Sequence, residues 1–216
     1  MKMLALEFSS HQRSVAVSVN GSVRGSAMET ATRTTHAFAL IEQALQAARL
    51  EREEIECVAI GIGPGSYHGI RASIALAQGW QLALPVKLLG ISSAECLAAE
   101  AQAKSIFGKV SVIIDAQRGE FCFARYEISA EVCRKTAALK LATLEEARAQ
   151  AVDGAIVGPE ANRWFPEGRI LFPNAPVLAK LAETRTDFIE GEKLEPIYLR
   201  ETNFVKAAPV RVLPEG

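Results

Sequence analysis

Several features that mark membrane, secreted and nucleic-acid-binding proteins are missing from this sequence. None of its apolar runs approaches the ~20 residues that a membrane-spanning helix requires. The first ten residues, MKMLALEFSS, place Glu7 inside a short apolar stretch, which is not typical of a secretory signal. The net charge is −1, and lysine and arginine form no cluster, so an independent grip on nucleic acid is not indicated. We therefore expect a cytoplasmic protein with no membrane association, in which any RNA is held mainly by a partner.

The usual patterns of metal sites and catalytic nucleophiles are also missing. The four cysteines include no C-x-x-C pair, and none of the three histidines has a second histidine four residues away. Ser66 lies in GPGSYHG, which lacks the G-x-S-x-G spacing of a nucleophile elbow. Cys57 and Cys122 lie in apolar runs and are interpreted as core residues. We therefore predict no catalytic residue, no bound metal and no tightly bound cofactor.

The most informative segment present is residues 61–85, GIGPGSYHGIRASIALAQGWQLALP. A strand-like run over residues 58–62 is followed by a glycine-rich turn and an alanine-rich helix, the order found at many phosphate sites. The turn has neither the Gly-Lys-Ser/Thr of a Walker loop nor the third glycine of the dinucleotide fingerprint. Phosphate binding by this turn is therefore disfavoured, and Ser66 is predicted to cap the helix instead.

The helix predicted over residues 70–84 carries small residues four positions apart, at Ala75, Gly79 and Ala83. Residues at this spacing share one helix face, and small side chains let another backbone come close. A glycine in mid-helix costs roughly 0.5–1 kcal/mol relative to alanine, so close packing should compensate for it. Two interpretations stay open: packing onto the protein's own sheet, or a helix–helix contact with another chain.

Both halves of the chain have the order β-β-β-α-β. Strand-like runs lie at residues 3–8, 15–19, 23–28, 58–62 and 86–91, and again at 110–114, 121–128, about 131–141 and 155–157. Asn20-Gly21 predicts a two-residue hairpin turn. The predicted helix caps are Thr34 or Thr35, Asn174, and capping boxes at Ser92 with Glu95 and at Thr143 with Glu146.

This repetition predicts an α/β fold with two lobes. We place the first lobe at residues 1–104 and a reduced second lobe at 105–216, with a tail from about 192 to 216 packing back on the first lobe. A duplicated unit of this kind resembles the two-lobed, RNase H-like architecture of actin, sugar kinases and heat-shock ATPases. In that class, acidic turns after the first strand of each lobe face each other across a cleft. The corresponding residues here are Glu7 and Asp115.

Five segments, taken in order, resemble one family. They are LALEFSS near the start, His36 at the opening of the next helix, the glycine-rich segment, IIDAQRGEFCFARYE and PIYLRE. Together they resemble the TsaB family, the small bacterial partner subunit in threonylcarbamoyladenosine modification of tRNA. Two departures stand out: the chain has Glu7 where the family usually has aspartate, and Tyr67-His68 where it usually has Phe-Thr.

The resemblance implies a subunit that is not an enzyme on its own. It implies pairing, through two helices of the first lobe, with a larger catalytic paralogue (TsaD-like) that forms threonylcarbamoyladenosine in tRNA, and assembly with a small ATPase (TsaE-like). The implied partner-binding residues are His36, Leu40, Ile41, Ala44, Leu45, Ile70, Arg71, Ile74, Ala75, Gln78, Gly79 and Leu82. ATP or ADP with Mg²⁺ is expected only at the interface of the complex, and tRNA only indirectly. A weak nucleotide site would involve Glu7, Ser9, Asp115 and Gly158.

Three alternatives remain beside this interpretation. A phosphotransferase of the sugar or acetate kinase class would use Glu7, Asp115 and the Gly158-Pro159 turn, although the second lobe is small and no general base stands out. A peptidase is opposed by the spacing around Ser66. A homodimer is the third, because the small-residue face could meet itself across a two-fold axis. The sequence does not separate homodimer from heterodimer, and we expect a homodimer in isolation.

Overall fold

Two mixed five-stranded sheets organise the chain, one in each half. The structure is a computed structural model that describes residues 1–30, 36–151 and 153–200. The first sheet contains β1 (Lys2–Glu7), β2 (Gln12–Val19), β3 (Ser22–Thr30), β4 (Cys57–Gly61) and β5 (Lys87–Ile91). The second contains β6 (Gly108–Asp115), β7 (Glu120–Ile128), β8 (Cys133–Thr143), β9 (Ala155–Gly158) and β10 (Arg169–Ile170).

The two sheets have the same topology. The strand order is β3-β2-β1-β4-β5 in the first and β10-β9-β6-β7-β8 in the second. In each, the first strand pairs antiparallel with the second and parallel with the fourth. The predicted two-lobed α/β fold with a duplicated β-β-β-α-β unit is therefore confirmed.

Six α-helices and two short 3₁₀ segments accompany the strands in the described part of the chain. The helices are α1 (Ala37–Ala48), α2 (Tyr67–Ala83), α3 (Ser93–Ala103), α4 (Leu144–Gln150), α5 (Ala161–Trp164) and α6 (Ala175–Glu183). The 3₁₀ segments are Arg52–Glu54 and Gly191–Lys193. None of the described helices is both long and apolar enough to cross a membrane.

The central strands β1, β2 and β4 of the first sheet are buried on both faces. The side chains of a strand alternate, so Leu4 and Leu6 of β1 pack under α1 and α2, while Met3 and Ala5 pack against α3 and α6. A strand covered on both faces must be apolar at every position, which explains the continuous run MLAL.

Helix α3 lies between the two lobes. Its residues Leu97 and Ala101 pack in the second-lobe core, whereas Cys96 packs in the cluster beneath the first sheet. Helix α6 comes from the second half of the chain but packs against β1 and β2. The division at residue 104 stays a prediction, and the structure adds that helices on both sides of it are shared between the lobes.

Most of the predicted local signals agree with the structure. Asn20 (φ 48°) and Gly21 (φ 76°) both adopt the left-handed conformation of a two-residue hairpin turn. Thr143 and Glu146 form the predicted capping box, and Asn174 Oδ1 accepts from the Val177 N–H at 3.0 Å. The Thr34 or Thr35 cap lies outside the described residues.

One predicted cap is wrong. Ser92 precedes α3, but its side chain makes no capping hydrogen bond. The carboxylate of Glu95, which would complete the capping box, instead pairs with Arg185 at 3.3 Å. Arg185, which is distant in sequence, therefore pairs with the glutamate that the local pattern assigns to the start of α3.

Candidate partner-binding helix and interlobe cleft

The glycine-rich turn packs the start of α2 directly against the residues that follow β1. Ser66 caps the helix as predicted, accepting from the Gly69 N–H at 3.3 Å, and its own N–H donates to the Ser9 carbonyl at 2.6 Å. A Cβ on Gly69 would overlap the Phe8 carbonyl, and one on Gly65 would overlap that of Ser9. The glycines are therefore needed for close backbone approach.

The small-residue ridge of α2, defined as Ala75, Gly79 and Ala83, faces outward. All three residues are exposed, and a Cβ added to Gly79 would meet no atom within 4 Å. Leu82 beside them is 90% exposed. Packing of the ridge onto the protein's own sheet is excluded, because the sheet contacts the opposite face of α2 through Ile70, Ile74 and Ala77.

The predicted partner face of α1 is wrong. Leu40, Ile41, Ala44 and Leu45 all lie in the first-lobe core and are at most 3% exposed. Helix α1 lies so close to β3 that a Cβ on Gly25 would overlap the Ala44 carbonyl. The apolar stripe of an amphipathic helix here covers its own sheet, and these side chains cannot contact another chain while the lobe stays folded.

The same correction applies to part of α2. Ile70 and Ile74, also assigned to the partner face, are 3% and 6% exposed and belong to the core beneath α1 and α2. Gln78 is half-buried, and its Nε2 already donates to the Gly191 carbonyl at 2.8 Å.

Arg71, His36 and Leu82 remain accessible among the predicted partner-binding residues, together with the ridge. His36 Nδ1 lies 3.0 Å from the Glu29 carboxylate at the start of α1. The Arg71 guanidinium lies 5.2 Å from the centre of the Tyr67 ring. The nearby Tyr198 is the main cause that raises the pKa of Arg71, and Tyr67 adds to it. The exposed surface of α2 thus runs from a cation at one end to a leucine at the other.

A cleft of about 1030 Å³ separates the two lobes. Its lining includes Ser9, His11, Asp115, Glu160 and Tyr198. Asp115 ends β6, and its Oδ1 accepts the Gln117 N–H at 2.6 Å. Burial is the main cause that raises the pKa of Glu160, and the nearby Asp115 charge adds to it, while His11 and Arg163 act in the opposite direction.

Glu7 does not line this cleft. Its carboxylate is fully buried, where it accepts the Ser9 N–H at 2.8 Å and the Ser93 hydroxyl at 3.0 Å. The side chain fills the space beside Gly61, where an added Cβ would overlap it. Burial raises the pKa of Glu7, although the hydrogen bonds from Ser9 and Ser93 oppose the shift. The two acidic residues that the fold class places opposite each other are therefore separated: Asp115 faces the cleft and Glu7 lies beneath its floor.

These positions do not fit a Mg²⁺–nucleotide held between two facing carboxylates. Of the four residues predicted for a nucleotide site, Ser9 and Asp115 line the cleft, and Glu7 and Gly158 do not. Gly158 is needed because a Cβ there would overlap the Ile113 carbonyl on the neighbouring strand. Within residues 1–30, 36–151 and 153–200, no three histidine, cysteine or acidic side chains lie close enough together to hold a metal ion.

The sequence analysis missed the residues that connect α2 to the cleft. Gln81, Tyr198 and Arg200 hold the segment after α6 against α2 and against the turn that follows Asp115. The signal present in the sequence was the PIYLRE motif, which ends with Arg200 and Glu201. The contacts of Arg200 depend on partners 80 or more positions away, so no local pattern could assign them.

Comparison with known proteins places the chain in a family. The model of the family described as TsaD, tRNA N6-adenosine threonylcarbamoyltransferase, matches residues 29–191. The TsaB protein of Escherichia coli K12, described as a tRNA threonylcarbamoyladenosine biosynthesis protein, is 27% identical, with 97% of this chain and 99% of the relative covered. The TsaB protein of Haemophilus influenzae, described in the same words, is 25% identical, with 98% of each chain covered.

A solved structure agrees with these relatives. It is a Pseudomonas aeruginosa protein described as uncharacterized, with similarity to the peptidase YeaZ, and it is 26% identical to this chain. The two structures superpose with a TM-score of 0.80 over 92% of this chain and 99% of the other. Since the TsaD model covers well over half of the sequence and the full-length relatives are TsaB proteins, the chain belongs to the TsaB (YeaZ) family, within the wider family that the TsaD model describes.

Proposed function

We propose that this protein is a non-catalytic subunit in the formation of threonylcarbamoyladenosine in tRNA, and that it binds a larger catalytic paralogue through the exposed ridge of α2. The observation that carries the proposal is the outward-facing ridge with open space at Gly79. An exposed glycine in mid-helix is a cost to the isolated chain. A partner helix that packs closely against the bare backbone would offset this cost.

The contact surface would include both ends of the exposed face of α2. Leu82 offers a large apolar side chain, and Arg71 offers a cation beside the Tyr67 ring. Phe38 on α1, which covers the same face of the sheet, is 67% exposed and offers a second exposed apolar side chain. Exposed aromatic, leucine and arginine side chains around a small-residue ridge are suited to a helical bundle with another chain.

The non-catalytic part of the proposal is supported by the chemistry of the cleft. Glu7, the carboxylate that the fold class places opposite Asp115, is buried outside the cleft, and the acidic residue that lines the cleft with Asp115 is Glu160. The residues around Ser66 serve to cap and seat α2. We therefore place the transfer reaction on the paralogue, with the small ATPase completing the assembly and any ATP or ADP with Mg²⁺ binding at the interface of the complex. The chain would meet tRNA only through these partners.

Ala75→Arg is the variant that tests the surface. It introduces bulk and charge at the centre of the ridge, and we expect association with the paralogue to weaken by about tenfold or more, because an unpaired charge would be buried in the contact. Threonylcarbamoyladenosine formation in a reconstituted mixture should fall in parallel. The matched control is Ala138→Arg, the same substitution at an exposed position of β8 in the other lobe, which should leave both measurements unchanged. If Ala75→Arg binds the paralogue as tightly as the parent, the ridge is not the contact surface.

A second candidate is a homodimer through the same ridge. The surface could pair with its own copy across a two-fold axis, since the small residues repeat along one exposed face. Size-exclusion chromatography of the isolated protein distinguishes the arrangements. If the protein is a dimer that Ala75→Arg disrupts, and if the paralogue displaces the second copy, then the homodimer is a resting form that uses the same surface.

A further inference from the structure

The segment that follows α6 runs from the first lobe to the rim of the second. We define residues 189–200 as the strap. The Ile189 N–H donates to the Leu88 carbonyl of β5 at 3.0 Å, and Leu194 is buried in the first-lobe core. Further along, the Ile197 N–H donates to the Ile62 carbonyl, in the turn before α2, at 2.9 Å. The strap is thus fixed to the first lobe by backbone hydrogen bonds and by apolar packing.

Two glutamines of α2 hold the strap near its start. The Gly191 N–H donates to Gln81 Oε1 at 2.8 Å, and Gln78 Nε2 donates to the Gly191 carbonyl at 2.8 Å. Residues three apart lie on the same side of a helix, so both amides reach one peptide segment. Gly79 and Leu82 lie next to these glutamines on the exposed face. Helix α2, which carries the ridge, therefore binds the strap directly through these two hydrogen bonds.

The first turn of α2 makes a second contact with the strap. The Tyr198 and Tyr67 rings lie 6.4 Å apart, the Arg71 guanidinium lies 5.2 Å from the centre of the Tyr67 ring, and Tyr198 attracts its charge. Arg71 is exposed at the start of α2, on the surface that we propose for partner binding. A partner that reorients the Arg71 side chain would therefore act on Tyr198.

The far end of the strap holds the turn between β6 and β7. The Arg200 guanidinium pairs with the Glu120 carboxylate and donates to the carbonyl oxygens of Ala116 and Gln117, at 3.3 Å and 3.5 Å. Gln117 in this turn has φ 62°, a left-handed conformation that a residue other than glycine adopts at a cost. Contacts from Arg200 help to hold the turn in that conformation, and the turn forms the second-lobe rim of the cleft.

We infer that the strap couples the ridge helix to the opening of the cleft, so that a change at either end is transmitted to the other. The path consists of Gln78 and Gln81, then Gly191, Ile197 and Tyr198, and finally Arg200 on the turn after Asp115. The consequence for a partner rests on the proposed function, whereas the coupling itself is a property of the isolated chain. Because coupling between two sites is reciprocal, loosening either anchor should change the opposite end.

Hydrogen exchange on the isolated protein tests the coupling from the second-lobe side. Arg200→Ala removes the guanidinium without touching α2. We expect the Ile197 and Gly191 amides to exchange about three- to tenfold faster, the range that loss of charge-assisted hydrogen bonds would produce if the strap opens as a unit. Arg134→Ala is the matched control, because it removes another surface arginine–glutamate pair of the same lobe, with Glu127, and should leave these amides unchanged.

The reverse experiment starts from α2. Gln81→Ala removes the acceptor of the Gly191 N–H, and we expect the Ala116 and Glu120 amides of the distant turn to exchange faster. Gln46→Ala, at an exposed position of α1, is the control. A thermal melt of each variant checks that the fold is retained. If either variant alters only the amides next to the substitution, the strap does not transmit the change and the inference is overturned.

Binding of the paralogue separates this inference from the proposed function. With coupling, Arg200→Ala changes the dissociation constant about threefold or more, although Arg200 lies outside the ridge. If Ala75→Arg weakens binding and Arg200→Ala leaves it unchanged, the ridge is the interface, and the consequence of the coupling for a partner is overturned. If Ala75→Arg has no effect, the proposed function fails, and the exchange measurements alone decide whether the strap couples α2 to the cleft.

Discussion

Helices α1 and α2 cover the same face of the first sheet, yet they use their sequence patterns in different ways. Helix α1 buries its regular apolar stripe in the core, against β2 and β3. Helix α2 buries Ile70, Ile74 and Ala77 and leaves a ridge of small residues exposed. Apolar spacing therefore identifies the side of a helix that faces its own sheet. A small-residue ridge with open space beside it is the side of α2 that we propose for contact with another chain.

The largest effect that would test this comparison is at Leu45 of α1. Leu45→Ala removes a side chain that is 3% exposed in the first-lobe core, and we expect the free energy of unfolding to fall by about 2–5 kcal/mol. Leu82→Ala on α2 is the matched control, since Leu82 is 90% exposed, and its effect on the isolated chain should stay within about 0.5 kcal/mol. Urea denaturation measures both. Equal losses of unfolding free energy for the two variants would mean that Leu45 is not a core residue or that Leu82 is not exposed.

Glu7, beneath the seat of α2, gives a pH-dependent test. Burial raises its pKa in the folded protein above the ordinary value. Between those two values the folded protein binds more protons at this group than the unfolded chain, so the unfolding free energy falls as the pH rises across that interval. Glu7→Gln keeps an acceptor for the Ser9 N–H and cannot ionise. We expect the variant to gain stability relative to the parent as the pH rises: the unfolding free energy of Glu7→Gln minus that of the parent should be larger at pH 7 than at pH 4.

The control for this measurement is Asp115→Asn, at the acidic residue that faces the cleft. Denaturation curves at several pH values should show the flattened pH dependence for Glu7→Gln alone. A pH dependence of the Glu7→Gln variant identical to that of the parent would mean that Glu7 is ionised in the folded protein without cost, as expected of a residue in open contact with the cleft.

The parts of the fold that the sequence predicted are those that depend on near neighbours in the chain. Asn20-Gly21, Thr143 with Glu146, and Asn174 act within a few residues, and the structure contains each of these turns and caps. The strand and helix order follows from periodicity, which also depends on local sequence. The duplicated topology could therefore be predicted, and so could the small-residue ridge.

The parts that could not be predicted depend on distant residues. Periodicity shows that α1 has an apolar face, but it does not say whether a sheet or a partner covers it. Arg185 lies far from Glu95 in sequence and pairs with the carboxylate that the predicted capping box would use. The burial of Glu7 depends on the space beside Gly61 and on the hydroxyl of Ser93, which belongs to α3. The sequence therefore predicted an acidic residue at this position but could not predict that its carboxylate lies outside the cleft.

Gly79→Ala gives the smallest expected effect and tests the central claim most directly. An added Cβ would meet no atom of the chain, so the isolated protein should become more stable by roughly 0.5–1 kcal/mol, as alanine is the better helix former. Gly25→Ala is the contrasting control, because its Cβ would overlap the Ala44 carbonyl and should destabilise the fold.

The decisive measurement is the dissociation constant of Gly79→Ala with the larger paralogue, determined by calorimetry beside its unfolding free energy. If the bare backbone at Gly79 lets a partner helix come close, the variant will be more stable than the parent alone and will bind the paralogue more weakly. If it is more stable and binds as tightly as the parent, no chain packs against the ridge at this position, and the account of α2 as the partner-binding helix is contradicted.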